Sequence, residues 1–167
     1  MPLELLIVRH AIAFERDARR WPDDGERPLS PQGIARAQKG AAGMKQLVTR
    51  PSRVLVSPLV RAQQTAAILT EVAGWPRASE CAELAPGVAP EALLATLRRM
   101  AEPRVAVVGH EPGLGRLVAA SLPGTAAGQA FRFRKMGAAL LSFPGGARAG
   151  GARLEWLVPA KVLRAAR

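Results

Sequence analysis

Three short runs of consecutive apolar residues limit what this chain can become: residues 3–9 (LELLIVR), 53–56 (RVLV) and 104–109 (RVAVVG). Strands look like this when both faces of their sheet are covered, which is the condition of parallel sheets. Helical spacing lies between them. Ser30-Pro31 supplies an N-cap and a first-turn proline, followed by Ile34, Ala37, Ala41, Met44 and Leu47. Ser57-Pro58 repeats that signal before Leu59, Ala62, Ala66, Leu69 and Ala73, with Gly74 suited to a helix stop. Residues 78–84 suggest a poorer strand. Pro90 opens a helix carrying Leu93, Leu94, Leu97 and Met100, and Pro112 another carrying Leu114, Leu117 and Val118. The tail is strand-rich: FRFR (131–134), AALLSF (138–143) and LEWLV (154–158), with a hairpin turn from Gly145 to Gly151. Residues 11–29 are polar and irregular, as a surface loop is. The order argues for an α/β sandwich with a mostly parallel sheet and a late antiparallel element, built as a single domain over residues 1–167.

Composition excludes several classes. At 49% hydrophobic residues the chain has enough apolar surface for one core, and no block suggests disorder. No apolar run approaches the roughly 20 residues that cross a bilayer. The N-terminal run is short and ends at Arg9, so it reads as a buried strand and not a signal peptide; the expected compartment is the cytoplasm. Cys81 stands alone, which leaves no internal disulfide and reads as a core or surface residue. The net charge of +11 has three readings: a solvated basic face, attraction to an acidic or phosphorylated partner, and nucleic-acid binding. The arginines are scattered, there is no Tyr, and 4 Phe and 3 Trp offer few stacking platforms. That ranks nucleic acid last.

The chemistry lies where the strands end. The chain has only two histidines, and each follows an apolar strand: His10 after LLIVR and His110 after VAVVG. Parallel strands bring their carboxyl ends to one edge, where open α/β sheets bind ligands. Arg61, in the first turn of the helix after the second strand, points to the same edge, and Arg9 adjoins His10. Guanidinium forks and a helix N-terminus favour an anion, and two arginines with two histidines suit a doubly charged phosphoryl group. Each placement has an ordinary alternative: a strand-end histidine is more often structural, and a first-turn arginine is usually a surface charge. The four together are harder to ascribe to chance. No His-x-His or Glu-x-x-His spacing suggests a metal, and no Gly-x-Ser-x-Gly elbow suggests a serine hydrolase.

The segments VRHA, ERPLSPQG, SPLVRAQQTA and VVGHEPGLGRL together resemble the histidine phosphatase, or phosphoglycerate mutase-like, superfamily, most of all its short SixA-type branch of phosphohistidine phosphatases. The resemblance spans most of the chain. It implies a three-layer α/β/α sandwich with a mostly parallel central sheet. It also implies a hydrolase in which His10 is the phosphorylated nucleophile and Arg9, Arg61 and His110 complete the phosphate pocket. Ser57 would buttress that pocket, although its N-cap role already explains it. Arg27 would reach the pocket or pair with an acidic loop residue. Two positions depart from the pattern: Ala11 stands where the superfamily has Gly, and only Glu83 lies where longer members carry an acidic stretch. Glu83 is the first choice for general acid and Glu111 the second. A neutral imidazole with one ring nitrogen held by a backbone carbonyl would attack, and no metal or organic cofactor is required. The branch resemblance implies a phosphohistidine-bearing protein as substrate, and a short chain with no large insertion to close over a small molecule fits that expectation. The alternatives are a small-molecule phosphomonoesterase of the same superfamily and, from another class, a basic nucleic-acid-binding module without catalysis.

Overall fold

The computed structural model describes residues 1–124 and 130–166. One six-stranded sheet runs through it in the order β3-β2-β4-β1-β5-β6. β1 (Leu3–Arg9), β2 (Arg53–Val56), β3 (Ser79–Glu80) and β4 (Arg104–Gly109) are parallel, and β5 (Ala138–Phe143) and β6 (Arg153–Val158) pair antiparallel at the far side. The late antiparallel pair and its connecting turn are as the sequence reads.

Strand residues alternate between two cores. Leu6 and Val8 of β1 and Ala106 and Val108 of β4 face α1 (Pro31–Leu47), α2 (Val60–Ala73) and α5 (Ala160–Ala165). Leu5, Ile7, Val105 and Val107 face α3 (Pro90–Arg98) and α4 (Gly113–Ser121). Helices on both faces explain why the strand sequences are apolar throughout, and they make the molecule the expected three-layer sandwich. Local signals place the helices. The Ser30 hydroxyl accepts the Gly33 N–H at 3.0 Å, Pro31 and Pro90 stand in first turns, and Gly74 ends α2 at φ 72°.

Five expectations need correction. The N-cap of α2 is Leu59, not Ser57, whose hydroxyl only accepts the Leu59 N–H at 3.3 Å before the helix begins. The strand expected over 78–84 is two residues long and gives way to a 3-10 turn at Ala82–Leu84. FRFR is not a strand: Phe133 is buried between exposed Arg132 and Arg134, but the segment runs into a turn instead of pairing. In α1, Ile34 and Leu47 are exposed and the buried face is Gly33, Ala37, Gly40, Ala41, Gly43 and Met44. The 11–29 segment is not wholly superficial, since Ala11, Ala13, Arg27 and Leu29 are buried and Ala13 bridges Leu29. α5 carries no strong sequence signal.

Candidate active site

Strand register builds the site. Arg9 is the last residue of β1 and pairs with Gly109, the last residue of β4. The next step of that ladder is the His10 N–H donating to the Gly109 carbonyl at 2.9 Å, and the Ser57 N–H likewise donates to Val108 at 3.0 Å. Arg9, His10, Ser57 and His110 therefore leave three adjacent strands at one edge of the sheet. α2 begins over the same edge and carries Arg61 in its first turn.

His10 is buried and its Nδ1 lies 2.6 Å from its neighbour's carbonyl, that of Ala11. A carbonyl only accepts, so Nδ1 carries the proton and Nε2 keeps its lone pair. Burial pushes the imidazole down to about 3, and the positive charges of Arg61, Arg9 and Lys135 push the same way against the Ala11 bond. The ring is neutral at neutral pH, the state a nucleophile needs. His110 is also buried, with Nε2 3.0 Å from the Leu84 carbonyl. Burial lowers its pKa too, and Arg61 and Arg9 act in the same direction.

The guanidinium groups are held from behind. Arg9 donates Nη1 to the Phe133 carbonyl at 2.7 Å. Arg61 donates Nη1 to the Asp24 carbonyl at 2.8 Å and Nη2 to its carboxylate at 3.2 Å. The Nε atoms of both arginines are buried and find no acceptor among the described residues. Buried donors of this kind are costly unless something pairs with them. Burial lowers the pKa of both groups, and nearby Glu111 opposes this for Arg9 as Asp24 does for Arg61.

The remaining expected residues are placed differently. Arg27 gives Nε to Asp24 at 2.8 Å and Nη1 to the Phe14 carbonyl at 2.7 Å, so it pairs with the acidic loop while standing near enough to Arg61 to affect its charge. Ser57 is fully buried at the rim. Glu83 and Glu111 line a small cleft together with His110 and Pro112, but both carboxylates are engaged. Glu83 accepts from Thr96 at 2.8 Å and from the Cys81 thiol at 3.2 Å; the Thr96 bond, first, holds its pKa below the usual carboxylate range. Glu111 accepts the Gly115 N–H at 2.8 Å in the first turns of α4.

Three contributors escaped the sequence reading. Thr65 accepts the Ala11 N–H at 3.0 Å and donates to the Arg61 carbonyl at 2.8 Å, tying the loop after His10 to α2. Its position four residues after Arg61 is the signal that could have found it. Asp24, one acid among several in a polar loop, had none. Lys135, one residue past FRFR, carried no signal of its own among the scattered cations. It follows Phe133 and Arg134 into a turn, and its charge acts on His10, Arg9, Arg27 and Arg61. Among the described residues no cluster of three or more His, Cys, Asp or Glu could hold a metal, and no helix is long and apolar enough to cross a membrane.

Residues 5–85 match the family described as the histidine phosphatase superfamily (branch 1). An uncharacterized protein of Picosynechococcus sp. is 34% identical over 156 residues, 92% of this chain and 89% of the relative. Phosphohistidine phosphatase SixA of Escherichia coli is 33% identical over 129 residues, 73% of this chain and 76% of that protein. Among solved structures, the protein histidine phosphatase SixA complexed with tungstate superposes with a TM-score of 0.82 at 27% identity, covering 96% of this chain and 99% of that one.

Proposed function

The chain belongs to the histidine phosphatase superfamily, a group of phosphatases, and we propose that it removes the phosphoryl group from phosphohistidine on another protein through a covalent intermediate on His10. The observation that carries this reading is the His10 imidazole, neutral, pinned through Nδ1 to Ala11 and set among arginines whose buried Nε–H groups find no acceptor among the described residues.

Nε2 of His10 attacks phosphorus, and the bond from phosphorus to the substrate nitrogen breaks. Negative charge on the transferring oxygens is met by Arg9 and Arg61, fixed in advance by Phe133 and Asp24, so little reorganisation is needed when the charge develops. An arriving dianion favours protonated His110, which then has donors on both ring nitrogens. Water next attacks phospho-His10, releasing inorganic phosphate and restoring the neutral ring. Ser57 and Arg27 support this pocket from its rim and from the Asp24 loop.

The leaving group argues for phosphohistidine. A substrate imidazole protonated on its distal nitrogen departs as a neutral ring, with a reference pKa near 6.5. An alcohol needs a strong acid beside it to leave. Glu83, the first choice for such an acid, is held as a carboxylate by Thr96 and Cys81 and so is not poised to give a proton. The relative named SixA is a phosphohistidine phosphatase, and the cytoplasm is the compartment proposed for this enzyme, whose N-terminal apolar run is the buried strand β1.

Rapid quenching after mixing with a phosphohistidine protein, followed by mass spectrometry, is expected to find the label on His10. His10→Ala should abolish both label and turnover. Faster turnover of sugar or nucleotide phosphates than of phosphohistidine would replace this substrate with a small phosphomonoester, and activity surviving in His10→Ala would end the mechanism.

A further inference from the structure

Residues 132–135 (RFRK) carry three cations in four positions, and they are fastened directly to the catalytic edge. The Phe133 carbonyl accepts Arg9 Nη1 at 2.7 Å, the Met136 N–H lies 3.1 Å from both the Arg9 and the His10 carbonyl oxygens, and the Arg9 N–H donates to the Gly137 carbonyl at 3.0 Å. A turn closes the segment: the Gly137 N–H donates to the Arg134 carbonyl at 2.7 Å, and Met136 stands at φ 61°. That left-handed backbone is costly for a side chain other than glycine and is kept where surrounding structure demands it. Phe133 and Met136 are buried as anchors, while Arg132, Arg134 and Lys135 are exposed. Among the described residues none of these three side chains has a hydrogen-bond or ion-pair partner. Glu15 is near enough for its charge to act on Lys135, opposing the effect of burial and of the neighbouring arginines.

Consecutive residues are 3.8 Å apart, so Arg132 and Arg134 flank the point where Phe133 holds Arg9. Both side chains are exposed, one on either side of the residue whose carbonyl fixes Arg9. Resting on the phosphohistidine reading above, we infer that Arg132 and Arg134 form a docking rim for an acidic protein surface surrounding the phosphorylated histidine, with Lys135 on its inner side. An acidic surface offers what the strip lacks, carboxylates at the spacing of side chains. A nucleic acid fits it less well, because the strip's aromatic ring is buried and no base can stack there. Rim charges of this sort act on encounter and on salt dependence more than on the chemical step.

The test uses two synthetic peptides phosphorylated on a single histidine, one flanked by Asp and Glu and one by Ser and Gly, with the wild-type chain and the R132S/R134S variant. The wild type is expected to prefer the acidic peptide by about tenfold in kcat/KM at low salt, and to lose that preference as salt rises. The variant should hydrolyse both peptides at the wild-type rate for the neutral one, which also shows that it is folded. Equal use of the two peptides by the wild type, a preference that persists in the variant, or an equal fall on both peptides would each overturn the rim. So would variant-sensitive binding of a single-stranded oligonucleotide in place of the peptide preference. Failure of the underlying reading looks different: neither peptide is turned over by the wild type and no label reaches His10.

Discussion

The Thr65 hydroxyl receives the Ala11 N–H at 3.0 Å while donating to the Arg61 carbonyl at 2.8 Å. One fully buried side chain thus links the backbone beside His10 to the helix turn bearing Arg61. Ala11 is also the residue whose carbonyl orients His10. Thr65→Val keeps the volume but leaves the Ala11 N–H unpaired. It should cost about 1–3 kcal/mol in chemical denaturation. It should also lower kcat by roughly tenfold with little change in KM, since misplacing a nucleophile affects the reaction more than binding. A fully active Thr65→Val would mean that the hydroxyl does not position His10.

The depressed His10 pKa has consequences for stability. The folded protein keeps this ring neutral down to about pH 3, whereas the unfolded chain takes up the proton below about 6.5. Between those values the unfolded state binds more protons, so stability rises with pH across the window and is lost as pH falls through it. The loss attributable to His10 should be on the order of a few kcal/mol. Urea denaturation of wild type and His10→Asn at pH 7 and pH 4 separates it from other groups: the variant should lose less. Identical losses would show that His10 titrates normally in the fold.

Glu83 is engaged by Thr96 and Cys81, so Glu83→Gln should leave phosphohistidine hydrolysis within about threefold of wild type, far from the roughly hundredfold or greater loss that removes a general acid. A collapse of that size in steady-state turnover would restore Glu83 as the acid.

Two glycines of α1 divide stability from function. A Cβ at Gly33 would overlap the Ile12 carbonyl, just beyond His10, and one at Gly43 would overlap the Leu163 carbonyl in α5. Either alanine substitution should destabilise by about 1–3 kcal/mol or more. Only Gly33→Ala should also depress kcat, because its displaced backbone leads into the nucleophile. Calorimetry with activity measured well below Tm tests the pair; equal kcat values would remove the distinction.

Much of this was legible because its physics is local. Runs such as LLIVR and VAVVG announce strands covered on both faces, and a proline after a capping serine announces α1. The termination of two such strands in histidine was enough to suggest one shared edge. The failures are as physical. FRFR alternates with period two, but alternation reports only that Phe133 faces inward, and a strand also needs a partner to pair with. α1 buries Gly33, Gly40 and Gly43 beside Ala37, Ala41 and Met44 because its neighbours approach closely, so a search for large apolar residues finds the middle of the stripe but adds the exposed Ile34 and Leu47 and misses the glycines. Ser57 has the composition of a cap, yet the helix begins two residues later.

By itself the sequence determined most of the order of strands and helices, α5 and FRFR aside, and the mostly parallel sheet, and it put two histidines and two arginines at strand ends and a helix start, since all of these follow from neighbours along the chain. Tertiary structure alone decided which polar groups are already spoken for: Arg61 and Arg27 meeting at Asp24, Glu83 accepting from Thr96, His10 steadied through Ala11 and Thr65. Partners distant in sequence are chosen by folding, and a side chain's charge and freedom depend on the company that folding brings.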